Sequence, residues 1–73
     1  PVVQVSFALP AAQQVTLAIY NLLGQQVATL SSGLQPAGDH SYCWDASQYA
    51  SGVYLVRLET PSTSCAQRFV VVK

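Results

Sequence analysis

An all-β fold, built as a small antiparallel sandwich, is the class this sequence predicts, and three observations predict it. Apolar residues recur with a period of two, the repeat of a strand with one covered face, and not at the roughly 3.6 of a helix. The runs that carry this repeat are filled with Val, Ile, Leu, Tyr, Phe and Trp, the types that pack well on a pleated surface. Each run is bounded by Gly, Pro, Asn or Ser in turn-forming groups. Six such runs within 73 residues leave room for short strands and tight connections only.

Taken in order, VVQVSFAL puts Val3, Val5, Phe7 and Leu9 on one face against Gln4, Ser6 and Ala8 on the other. Pro10-Ala11-Ala12 follows and is expected to close a first hairpin. QVTLAIYN sets Val15, Leu17 and Ile19 opposite Thr16, Ala18 and Tyr20. Asn21-Leu22-Leu23-Gly24 then reads as a type I turn with a glycine bulge, the Asn side chain capping it and Gly24 taking positive φ. QQVATL is expected to be a short third strand, followed by a longer connection, SSGLQPAG, that carries the chain over an edge. HSYCWD points His40, Tyr42 and Trp44 one way, with Ser41, Cys43 and Asp45 the other. GVYLVRLET turns Tyr54, Val56 and Leu58 inward, and Pro61-Ser62-Thr63-Ser64 closes the hairpin onto CAQRFVVVK. On that last strand Phe69 and Val71 face the core, whereas Arg68, Val70 and Val72 face away.

The segment WDASQYASGVY between the fourth and fifth strands is a corner. Trp44 is in phase with Tyr42, so its ring enters the core at the seam between sheets. Asp45 is placed to accept from the amides of Ser47 or Gln48 and cap one helical turn, after which Gly52 releases the chain into the next strand. A catalytic acid at Asp45 would need a second titrating group, and none stands nearby in sequence.

Composition narrows the function. Half the chain is hydrophobic (51%), and 8% is charged against roughly 25% in ordinary soluble domains. Three basic and three acidic residues cancel, so no field gathers phosphates and nucleic acid is not an expected partner. No apolar run approaches the roughly 18 residues of a membrane-spanning helix. PVVQVSFALP lacks a basic region ahead of an apolar one, so it does not read as a signal peptide. The chain reads as one domain, residues 1–73, excised from a larger protein.

Four pieces in order carry a resemblance: Tyr20-Asn21-Leu22-Leu23-Gly24, Trp44-Asp45-Ala46, Ser51-Gly52-Val53-Tyr54 and the final strand from Arg68 to Lys73. Together they resemble the C-terminal sorting domain of the bacterial type IX (Por) secretion system. Less closely, the chain is similar to the immunoglobulin-like domain of the flagellar hook-cap protein. The resemblance implies an immunoglobulin-like sandwich of six to seven strands that serves as an address and not as an enzyme. Its implied partners are the outer-membrane secretion machinery and an N-terminal cargo domain of the same chain. Its implied route runs through the periplasm to the cell surface or medium. The residues to which it points are Arg68 and Lys73 on the last strand, with Gly52 and Tyr54 in the Gly-x-Tyr element. Alternation adds Val70 and Val72 as an apolar strip beside those cations.

The remaining chemistry-bearing residues give no site. Cys43 lies near one end of the sandwich and Cys65 opens the sixth strand at the other. The intervening strand separates them by roughly 20 Å at ~3.3 Å per residue, beyond the ~4.4–6.8 Å between Cα atoms that a disulfide spans. Two cysteines and one histidine fall short of the four ligands of a structural zinc site, so neither metal nor cofactor is expected. His40, beside Gly38-Asp39 at a strand start, is expected to be solvated. Tyr42, Trp44 and Tyr54 are expected in the core, leaving Tyr20 and Tyr49 as candidate exposed rings. An accessory carbohydrate-binding module of a secreted hydrolase would use such rings for stacking, and a structural immunoglobulin-like spacer would need none.

Overall fold

The computed structural model describes residues 1–72. Six strands follow one another: β1 (Val2–Leu9), β2 (Gln13–Asn21), β3 (Gln26–Gln35), β4 (Gly38–Asp45), β5 (Gly52–Glu59) and β6 (Ser64–Val71). They form two antiparallel sheets, β1-β4 and β3-β2-β5-β6. The all-β sandwich is as the alternation predicts.

Faces follow the sequence closely. Val3, Val5, Phe7 and Leu9 are all less exposed than the polar residues between them. Val15, Leu17 and Ile19 are fully buried on β2, the central strand that pairs with both β3 and β5. Around Ile19 the core gathers Trp44, Ala46, Tyr54 and Val71, with Val3, Val27, Tyr49, Val56 and Phe69 packed against them. Three aromatic contacts lock the Trp44 ring: Tyr49 at 4.9 Å, Tyr54 at 5.6 Å and Phe69 at 5.9 Å between centroids. In a chain this short such a cluster is a large part of the core, beside buried Leu9, Val15, Leu17 and Ala18.

Two connections differ from expectation. Pro10–Ala12 closes no hairpin, because β1 pairs with β4, from Val2↔Asp45 to Leu9↔Gly38, and the chain changes sheets at this point. The reason is that both edges of β2 are taken, one by β3 and the other by β5. The third strand is also longer than QQVATL. It runs through Gln35, so the connection to β4 shrinks to Pro36-Ala37. The extra residues remain on the ladder because β2 offers partners as far as Gln13, with Ser31↔Leu17 and Gly33↔Val15.

The turn after β2 is built as the sequence indicates. Oδ1 of Asn21 accepts from the amides of Leu23 (2.9 Å) and Gln25 (3.0 Å). Gly24 closes the turn onto the Asn21 carbonyl at 3.1 Å with φ of 82°, a backbone state that side chains with a Cβ disfavour. Asn21→Ala removes these two bonds and the one its Nδ2 donates to Gln25 Oε1 at 2.9 Å, and should cost about 1 kcal/mol, the net value of exposed bonds whose partners water partly re-solvates. A urea midpoint equal to that of the parent would show that the turn holds without its cap.

The corner between β4 and β5 also carries the chain from one sheet to the other. Asp45 Oδ1 accepts from the Ser47 amide at 2.9 Å, and Tyr49 N–H donates to the Ala46 carbonyl at 3.0 Å, closing one turn. The amide of Ala46 donates to the Pro1 carbonyl at 2.9 Å, tying the corner to the start of β1. The start of β1 and the end of β6 thus share one end of the molecule, with Val2 paired to Asp45 and Val71 to Gly52.

Candidate functional site

Hydrogen bonding and burial divide the chemistry-bearing residues between the interior and two surfaces. His40 is half-buried, with one ring face covered and the rest open to solvent. It stacks on Phe7 at 5.3 Å, and its Nε2 donates to the Pro36 carbonyl at 2.8 Å. Tyr49 is likewise no exposed platform, since its ring lies on Trp44 and its hydroxyl donates to the Val27 carbonyl at 3.1 Å. Both rings offered for sugar stacking, Tyr20 and Tyr49, are half-buried. Among the described residues no group of three or more His, Cys, Asp or Glu could hold a metal ion.

Both cysteines are free and exposed. Cys43 lies opposite Gln4 in one sheet, whereas Cys65 lies opposite Leu58 in the other. The purified monomer should therefore take up two equivalents of a thiol reagent without prior reduction. An intact mass two hydrogens lighter than the sequence mass would establish a bridge and overturn this strand order.

The last strand is an edge. β6 pairs with β5 on one side and has no partner on the other. Phe69 and Val71 turn inward, the latter fully buried, while Val70 and Val72 stand 64% and 74% exposed. Val70 pairs across the ladder with Val53, and Arg68 with Leu55. Neighbouring Tyr20 pairs with Leu55 in turn, so the outer face of the sheet is apolar at this end. One ion pair joins described residues, Arg57 with Glu59 at 3.2 Å. Arg68, exposed on β6, has no ion-pair partner among them. Lys73 lies outside the described residues.

The six sequence-selected residues therefore do not converge. Arg68, Val70 and Val72 share the outer side of β6. Tyr54 is buried, stacked on Phe69 at 6.0 Å, with its hydroxyl donating to the Ala50 carbonyl at 2.6 Å. Gly52 pairs with Val71. Tyr54 thus seats the last strand from within, and half-buried Gly52 pairs beside it.

Sequence reasoning missed two features. Ala46 is fully buried beneath the corner, a position no alternation marks because it lies between strands. Ser31 is buried and joins two strands, accepting from the Tyr42 hydroxyl at 3.2 Å and from Gln35 Nε2 at 3.0 Å. Only a map of which strands face one another would have shown it.

Two antiparallel sheets, a chain that crosses between them at a tryptophan corner, and a core shared by both make this an immunoglobulin-like sandwich. More narrowly, residues 2–64 match the FlgD Ig-like domain family, and the chain belongs to it. That family is the more distant of the two resemblances seen in the sequence. No curated protein and no solved structure matches the chain.

Proposed function

We propose that this domain is a sorting domain at the C-terminal side of an exported protein, recognised by the outer-membrane type IX translocon through β6. The observation that carries the reading is the outer side of that strand. Two valines, more than half exposed, flank a core-facing residue on a free edge, next to a cation without an ion-pair partner among the described residues. An edge of this kind is costly for a protein to leave open, because it invites pairing with other chains. It becomes useful when a receptor adds a strand or docks on the strip, with the cation setting register. The four-part motif resemblance supports the same reading. The cargo is then a domain N-terminal to this one, and the domain itself performs no chemistry. Membership of the FlgD Ig-like family favours a second reading, a structural module that joins or spaces domains of a secreted chain.

Export of a reporter separates the two. Residues 1–73 are fused behind a signal-bearing reporter in a type IX-competent bacterium, and periplasm, surface and medium are fractionated. The intact fusion should reach the surface or medium, whereas removal of residues 70–73 should hold it in the periplasm. Arg68→Gln should lower delivery more mildly with the fold intact. Equal delivery by intact and truncated fusions would reject the sorting reading in favour of the structural one.

A further inference from the structure

Tyr20, Leu55 and Arg68 stand in one row across β2, β5 and β6, because Tyr20 pairs with Leu55 and Leu55 with Arg68. The next row, toward the β5–β6 turn, holds Ala18, Arg57 and Ala66. Alternation puts both rows on the outer face of the four-stranded sheet, opposite to buried Ile19 and Tyr54 and to Phe69. Both arginines of the chain are therefore on this face, diagonal neighbours about 7–8 Å apart across the ladder. Ala18 is fully buried although it faces outward, so its longer neighbours close over it. Beside it a depression of ≈ 340 Å³ opens, lined by Tyr20, Leu55, Arg57, Ser64 and Ala66 among others. Glu59 meets the Nε of Arg57 at 3.2 Å, and no described residue accepts a hydrogen bond from its Nη groups. The hydroxyls of Tyr20 and Ser64 likewise bond to no described residue.

We propose that this depression binds a hexuronate unit of an acidic polysaccharide, with the carboxylate on Arg57 and the sugar ring over Tyr20. Three observations select that ligand. First, Arg57 and Arg68 against Glu59 leave one positive charge on this face, which one carboxylate balances. The free Nη pair of Arg57 is also a planar fork that matches the two oxygens of a carboxylate. A phosphate monoester, at about −1.5 to −2, brings more charge than the site offers. Second, the Tyr20 ring lies beside aliphatic Leu55 and Ala66, an apolar floor for the C–H face of a sugar. The unengaged hydroxyls of Tyr20 and Ser64 are left for its hydroxyl groups. Third, β2 and β5 have strands on both sides, so a peptide lying over this floor finds no free ladder to join. The ligand is read by side chains alone. An anionic lipid surface is excluded by number, since it is held by clusters of about four to eight cations.

Arg68 borders both this depression and the β6 strip, whereas Arg57 and Tyr20 belong to the depression alone. The test turns on those two, so this proposal goes beyond the export reading and fails separately from it. The probe is a linear tetrasaccharide of glucuronate, titrated into the purified domain and followed by calorimetry and amide resonances. Saturable binding should shift the amides of Tyr20, Leu55, Arg57 and Ala66 and leave in place those of Gln4, Ser6, Ser41 and Cys43 on the other sheet. The neutral glucose tetrasaccharide should bind about tenfold more weakly, and so should acetate, which has the charge without the ring. Arg57→Gln, at an exposed position that leaves the core intact, should weaken glucuronate binding about tenfold and leave the neutral sugar unaffected. Tyr20→Leu keeps the apolar bulk and should weaken both sugars about tenfold, with the remaining resonances unmoved as the sign of an intact fold. Absence of saturable binding, equal affinity for the neutral tetrasaccharide, or acetate or inorganic phosphate binding as tightly as the acidic sugar would each overturn the proposal. So would an Arg57→Gln domain that binds glucuronate as the parent does.

Discussion

Trp44→Ala should bring this domain close to unfolding in the absence of denaturant. The ring is 5% exposed and touches Tyr49, Tyr54 and Phe69, so its removal strips the cluster of its shared partner. Truncating a buried aromatic to alanine costs about 3–5 kcal/mol, from lost transfer energy and from the cavity left behind. A chain of this length has only about 4–11 kcal/mol in total, taking 0.05–0.15 kcal/mol per residue. Relaxation offers little relief, since Trp44 precedes a corner that Ala46 ties to Pro1. Equilibrium urea unfolding followed by far-ultraviolet circular dichroism reads the result. A midpoint within error of the parent would remove Trp44 from the core.

The second large effect is expected at Ile19. It is fully buried at the middle of the four-stranded sheet, paired with Ala28 on one side and Val56 on the other. Ladders on both sides prevent the backbone from moving into a void. Ile19→Ala should therefore fall in the upper half of the roughly 2–5 kcal/mol range for such truncations, and Ile19→Val near 1 kcal/mol. The graded pair separates burial from propensity, because valine keeps the β-branch that suits a strand. Equal costs for the two substitutions would mean that Ile19 matters to the ladder and not to the core.

How much of this was legible in the sequence depends on what alternation encodes. Period two assigns each residue a face, and the faces of β1, β2, β5 and β6 follow it, down to exposed Val70 and buried Val71. It says nothing about which strand lies alongside. Hence Pro10–Ala12 reads as a hairpin, although β1 crosses to the other sheet. The second half of β3 was hidden for another reason. There the usual pattern is inverted, with Ser31 buried and Leu34 72% exposed, because the inner face is closed by hydrogen bonds to Tyr42 and Gln35 and not by apolar packing. Short-range chemistry was easier to read. The Asn21 turn and the Asp45 corner depend on residues within four positions of each other, and both were visible. Of the candidate surface, the β6 strip was legible.

The shared end of β1 and β6 has a mechanical consequence. Val2 and Val71 both lie at the Trp44 end, in different sheets, with Val2 bonded along β4 and Val71 along β5. A pull applied between those two points loads the ladders at their terminal rungs. Hydrogen bonds perpendicular to the strands then break one after another and not in parallel. Tension drawn from that end would peel β1 and β6 away like two zips, at far lower force than shearing the same ladders lengthwise. The aromatic core holds the two sheets face to face, yet the ladders at their margins are loaded in their weakest direction by tugging from the side on which the first and last strands meet.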